Sequence, residues 1–176
     1  MKSDPLKKYI LSYMTSVFKL LLLLLLVSEN VSAQAPAETI PEFNFFSLGK
    51  NLFTNKELPP GKMLFFIFFD SDCDHCQHAI QYLDRHYKDF KKTAIYLITL
   101  DDKEKIRRFM SKYGSTLYTR KNVTILQDPK YDFINKFRPR KYPALFLYSE
   151  KRELMLYEDN EQNLFRFSKR LNTASK

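Results

Sequence analysis

The chain has 176 residues, about one domain's worth, and a formal net charge of +9. Three glycines argue against a Gly-rich phosphate loop, and the only two cysteines, Cys73 and Cys76, leave no separate pair for a structural disulfide. Sixteen Phe and eleven Tyr supply an aromatic core, while the basic residues lack the clustered basic and aromatic layout of a nucleic-acid module.

In chain order, Lys2, Lys7, Lys8 and Lys19 precede the leucine run 20–26, and Val31-Ser32-Ala33 supplies compact residues after it. Positive charge, a short apolar run and a small-residue site predict a secretory signal peptide over residues 1–33. Gln34 follows, so a cut after Ala33 presents no cysteine for lipid attachment. The alternative is a retained membrane tether, although Ser12, Thr15, Ser16 and Lys19 interrupt the stretch of about 20 apolar residues that a span requires. Removal of the leader takes four lysines, Asp4 and Glu29 with it and leaves a mild basic excess. The expected location is periplasmic or otherwise exported, an oxidising setting, with no stable membrane span after cleavage.

Residues 34–39, containing Ala35-Pro36-Ala37, read as a flexible lead-in to a domain spanning 40–176. Phe43, Phe45 and Leu48 before Gly49-Lys50, then Leu52-Phe53, predict a short hairpin around Gly49. Leu58-Pro59-Pro60-Gly61 is a turn. The continuous apolar run Met63 to Phe69 suits a strand buried on both faces. Asp70-Ser71-Asp72 then leads into Cys73-Asp74-His75-Cys76 and a helical stripe of Cys76, Ile80, Leu83, Tyr87 and Phe90, with Lys88, Lys91 and Lys92 late.

Residues 94–100 form the next expected strand. Asp101 with Glu104 suggests a capping box opening a helix that Gly114 closes. A strand at 123–126 follows. Asp128-Pro129 predicts an N-cap and N1 proline for a helix through Phe137. Strands at 144–148 and 154–157 flank a polar turn, and a last helix runs over about 161–171. The order is β-hairpin, βαβαβα, ββα: an α/β fold.

The chemistry concentrates at the Cys-x-x-Cys. A helix N-terminus carries partial positive charge and unpaired N–H groups, so it favours a thiolate. Cys73, nearest the helix end, is the expected nucleophile, and Cys76 the thiol that resolves a mixed disulfide. His75 can stabilise the Cys73 thiolate, whereas Asp72 and Asp74 oppose it. Two other readings stand beside the redox dithiol. One is a copper or zinc module using Cys73, Cys76 and His75 or His78. The other is a redox-inactive interaction domain. Gln77 stands where a haem attachment motif needs histidine.

A strand, a Cys-x-x-Cys at a helix start and Pro143 leading into a late strand together resemble the thioredoxin-like superfamily. Pro41-Glu42-Phe43, the Gly49-Lys50 turn and the extra strand–helix unit before Pro143 resemble its TlpA/ResA-like branch of exported thiol–disulfide oxidoreductases. The likeness covers residues 40–171. It implies a thioredoxin-like fold with a central mixed sheet, helices on both faces and an N-terminal β-hairpin extension. It also implies a cis Tyr142–Pro143 bond with Pro143 facing Cys73, and catalytic Cys73, Cys76, Pro143 and His75 without a cofactor or metal. Expected partners are protein thiol or disulfide substrates and a recharging redox partner, with the chain a monomer. His75 matches the histidine of DsbA's C-P-H-C motif.

The chain also departs from its relatives. Ile67 replaces the buried acid of thioredoxin, Asp72 its tryptophan, and Ala79 the glutamate of ResA-type proteins. The Pro, Thr and Cys loop of peroxiredoxins is absent. Sco-type copper carriers use wider cysteine spacing and a distant histidine, whereas no histidine follows His86 here. Arg138, Arg140 and Lys141 precede Pro143, where they are expected to border the sulfurs, raising thiolate character or selecting acidic partner segments.

Overall fold

The structure is a computed structural model and describes residues 9–10, 12–19 and 35–174. The chain divides into two units, Met1–Ala33 and Gln34–Lys176. In the first, residues 9–10 and 12–19 are helical, while the leucine run and residues 31–33 of the expected leader lie outside the described residues. Among the described residues no helix is long and apolar enough to cross a membrane.

The second unit is built on one seven-stranded mixed sheet. Its strands are β1 (Phe45–Ser47), β2 (Leu52–Phe53), β3 (Leu64–Phe68), β4 (Ala94–Thr99), β5 (Val123–Gln127), β6 (Ala144–Tyr148) and β7 (Leu154–Glu158). Their spatial order is β2-β1-β5-β4-β3-β6-β7. β3 runs parallel to β4 and antiparallel to β6, pairing Phe66 with Tyr96 on one side and Phe146 on the other. The expected hairpin is present, with Phe45 opposite Phe53 and Lys50 at φ 63° in its turn.

Alternation along β3 divides the core. Phe65, Ile67 and Phe69 pack with residues of α1 (Asp74–Arg85), α2 (Tyr87–Phe90), α3 (Lys103–Tyr113) and α4 (Leu164–Ala174). Leu64, Phe66 and Phe68 face Phe43, Phe45, Phe133, Phe137 and Tyr148. The helical cover of this second face is a single π-helical turn, Phe133–Phe137, whose rings stack 4.3 Å apart. A run apolar at every position is what a strand with a core on both sides requires.

Several local expectations shift. The residues 34–39 expected to be flexible are pinned from Ala37 on. Its N–H donates to the Phe137 carbonyl, its carbonyl accepts from the Tyr148 hydroxyl at 3.0 Å, and Thr39 bridges to Glu153. The cap of α3 is Asp102, whose side chain accepts from the Lys105 N–H at 2.8 Å, while Asp101 turns inward. Asp128 does not start a helix at Pro129. Its two oxygens instead accept from the N–H groups of Asp132 and Phe133, after Tyr131 takes a φ of 60°. Burial raises the Asp128 carboxyl's pKa in spite of these bonds. The motif helix also ends sooner than its stripe suggested. His86, at φ −103° and ψ 20°, separates α1 from the short α2.

Candidate active site

The site lies where β3 ends. Phe69 N–H still bonds to Ile98 of β4, and the chain then turns through Asp70, whose carbonyl accepts from the Cys73 N–H at 3.3 Å. Cys73 occupies the N-cap of α1 with extended backbone (φ −89°, ψ 117°). Its Sγ accepts from the Cys76 N–H at 3.4 Å, and its carbonyl accepts from the N–H groups of Cys76 and Gln77. A sulfur thus takes the place of the usual N-cap oxygen, next to the positive end of the helix dipole.

The two cysteines are free thiols in contrasting surroundings: Cys73 is half-buried and Cys76 is fully buried. Cys76 belongs to the stripe Cys76, Ala79, Ile80 and Leu83 that α1 presses onto the core. Burial pushes its thiol well above the ordinary range, reinforced by Cys73 and the Asp70 charge and opposed by the Asp70 backbone amide. A half-buried sulfur on a helix cap beside a fully buried one is an asymmetric dithiol.

Side chains from distant segments hold the turn. Asp101, at the end of β4, accepts from the Ser71 N–H at 2.9 Å and the Ser71 hydroxyl at 2.5 Å, and from Thr99 at 3.0 Å. Burial acts to raise the Asp101 pKa, but the bonds from Ser71, Lys105 and Thr99 outweigh it and hold the carboxyl below its usual value. Lys105 bridges Asp101 and Asp72 at 3.2 and 2.6 Å. His75, 68% exposed, places Nδ1 3.0 Å from Glu161. Burial works to raise the Glu161 carboxyl, yet the His75 contact and nearby His78 leave it lowered.

The Tyr142–Pro143 bond is cis, and Pro143 is buried at the start of β6. Tyr142 packs against the same core cluster as Cys73, and its ring lies tilted beside that of Phe68 with centroids 4.7 Å apart. Its phenol is pushed up to about 12, first by burial and then by surrounding negative charges that include Asp70, Asp101 and Cys76. Arg140 and Lys141 share the Asp159 carboxylate. Arg140 Nε pairs with Asp159 at 2.8 Å and its guanidinium lies over Tyr157, and Lys141 sits 4.0 Å from the same carboxylate.

The fold therefore brings together Cys73, Cys76 and His75, with Tyr142 from the loop before Pro143 against the same core. Asp101, Lys105 and Glu161 join them unannounced by the motif. Asp101 and Glu161 had read as helix-start residues, and nothing local marks a pairing across 86 positions. Among the described residues no group of three or more His, Cys, Asp or Glu side chains is arranged to hold a metal ion.

The sequence profile of the AhpC/TSA family matches residues 36–156. No protein of curated function matches the sequence. Among solved structures, a putative thioredoxin from Neisseria meningitidis aligns at 20% identity and TM-score 0.62, over 78% of this chain and 90% of that one. The thioredoxin domain of a thiol–disulfide oxidoreductase from Bacteroides vulgatus aligns at 17% and 0.63, over 78% and 97%. A secreted disulfide oxidoreductase from Mycobacterium tuberculosis aligns at 20% and 0.58, over 74% and 95%. The fold is thus thioredoxin-like, as the motif layout had suggested.

Proposed function

The chain belongs to the AhpC/TSA family, and from that premise we propose that it is an exported thiol–disulfide oxidoreductase acting on protein substrates. The observation that carries the reading is the asymmetric dithiol: Cys73 Sγ half-exposed on the α1 cap, and Cys76 buried with its thiol raised.

In the forward direction the Cys73 thiolate attacks one sulfur of a substrate disulfide. A Cys73–substrate bond forms, and the other substrate sulfur leaves as a thiolate that takes up a proton. Cys76 then gives up its proton and attacks Cys73 Sγ. The Cys73–Cys76 disulfide forms, the mixed disulfide breaks, and the second substrate thiol is released. Two electrons pass from the enzyme dithiol to the substrate. The reverse sequence oxidises a substrate dithiol. Helix polarity favours the attacking thiolate, and burial keeps Cys76 protonated until the mixed disulfide exists. Cys76 shares its core cluster with Ile67 and Ala79, at positions where relatives place acids; the Asp70 charge bears on its sulfur, and that sulfur in turn bears on the Tyr142 phenol. An oxidising compartment suits this chemistry, and the basic leader supports export.

The test equilibrates the protein in defined thiol/disulfide buffers and reads the Cys73–Cys76 state by thiol trapping and mass. A reversible two-electron couple between about −270 and −120 mV is expected, the low end marking a reductase and the high end an oxidant. No couple in that window, or a disulfide stable below about −300 mV, refutes the exchange reading.

A further inference from the structure

One cation joins the two carboxylates that bracket the nucleophile's turn. Asp72, the residue before Cys73, is 77% exposed, and among the described residues Lys105 alone pairs with its carboxylate. The other end of the clamp is Asp101, 11% exposed and fixed from behind by Ser71 and Thr99. Lys105 is delivered by the first turn of α3, where its own N–H is capped by Asp102. Nothing in the Cys-x-x-Cys motif calls for a lysine on that separate helix.

Adjacent residues have Cα atoms about 3.8 Å apart, so a bare Asp72 carboxylate disfavours a second negative charge on Cys73. Among the described residues, the other charged or titratable groups around the turn are Cys76, whose N–H donates to Cys73 Sγ, and Asp70, Asp74 and His75, with Glu161 on His75, His78 near Glu161, and Tyr142 from the loop before Pro143. None of them supplies a cation to Asp72.

We propose that Lys105 is a positioning residue for Cys73: by clamping Asp72 to Asp101 it offsets a repulsion that opposes the thiolate. The inference rests on Cys73 being the nucleophile. Lys105 thereby makes an aspartate tolerable at the position immediately before the attacking sulfur.

The test follows iodoacetamide alkylation of Cys73 against pH in the full chain carrying Cys76→Ser. It compares that parent with Lys105→Met, Lys105→Arg, Asp72→Asn and the Lys105→Met/Asp72→Asn double variant. Lys105→Met is expected to alkylate about three- to tenfold more slowly near neutral pH, with its profile displaced to higher pH. That is the scale of one nearby unit charge at a protein surface. Lys105→Arg keeps the parent rate, because the charge remains. Without the Asp72 carboxylate, the Lys105→Met change alters the rate by less than about twofold, because the lysine acts through that carboxylate; the displaced pH profile is what a purely structural lysine does not produce. A Lys105→Met rate equal to the parent, or equal slowing with and without the Asp72 carboxylate, overturns the clamp while leaving a reactive Cys73 in place. A parent Cys73 inert to alkylation overturns the nucleophile reading and the clamp with it.

Discussion

Replacing Asp101 with alanine removes the acceptor around which the motif turn is wrapped. Two bonds to Ser71, at 2.9 and 2.5 Å, disappear together, and Ser71 is only 8% exposed. A hydrogen bond to a charged group contributes about 1.5–3 kcal/mol, and a buried donor left unmatched costs about 1–3 kcal/mol. These quantities overlap rather than add, and the turn lies near enough to solvent for water to recover part of the loss. The expected destabilisation is about 3 kcal/mol. Asp101→Asn keeps an acceptor but loses the charge, so about half of that is expected. Urea unfolding at neutral pH reads both as lower midpoints at unchanged slope. Acidification supplies a second reading. The folded Asp101 carboxyl is held below its usual value, so its contribution is complete above the unfolded value near 3.9 and fades as pH falls through the lower folded one. The gap between the parent and Asp101→Asn should therefore narrow below about pH 4. An alanine variant losing under about 1 kcal/mol, or a gap that widens in acid, refutes the account of Asp101 as the turn's anchor.

Three further outcomes are expected. In the reduced native protein, iodoacetamide should label Cys73 at least about 100-fold faster than Cys76, whose sulfur is buried and held protonated; peptide mass mapping decides, and equal labelling contradicts the asymmetry. Tyr148→Phe should cost about 1 kcal/mol in thermal or urea unfolding, because the Ala37 carbonyl loses its phenol donor. Gly114→Ala should cost about 1–3 kcal/mol, because a Cβ there stands 2.7 Å from Ile80 Cγ2 and Met110 Cε; an unchanged midpoint would show that both side chains give way freely.

Much of the architecture was legible because its determinants are local. β3, β4 and β6 are buried at every position, and unbroken apolar runs announce them. The start of α1 was readable for the same reason, since its buried stripe recurs at three-to-four spacing. Capping was legible in kind but not in register. Asp101 and Asp102 are chemically identical neighbours, and which one caps α3 depends on Ser71 lying 30 positions earlier to claim the other. Asp128 had the residue types of a helix start, but burial and two amide bonds turned it into the anchor of a π-helical turn. The pairings of Lys105 and Glu161 escaped notice because a long-range ion pair leaves no periodicity in either of its segments.

The cluster that closes over Cys76 draws on Leu145, Leu147, Leu164 and Phe167, all of them encoded far downstream. Chains are made from the N-terminus at about 5–20 residues per second, so both thiols exist for on the order of ten seconds before those side chains do. During that interval Cys73 and Cys76 are equivalent thiols on an open chain, each free to meet an oxidant or another chain's cysteine. The core cluster that sets the two surroundings apart is complete only when the last helix adds Leu164 and Phe167 to it. A ribosome-bound fragment ending before Leu164 should accordingly react at both cysteines alike, which makes the asymmetry of the pair a timestamp of completed folding.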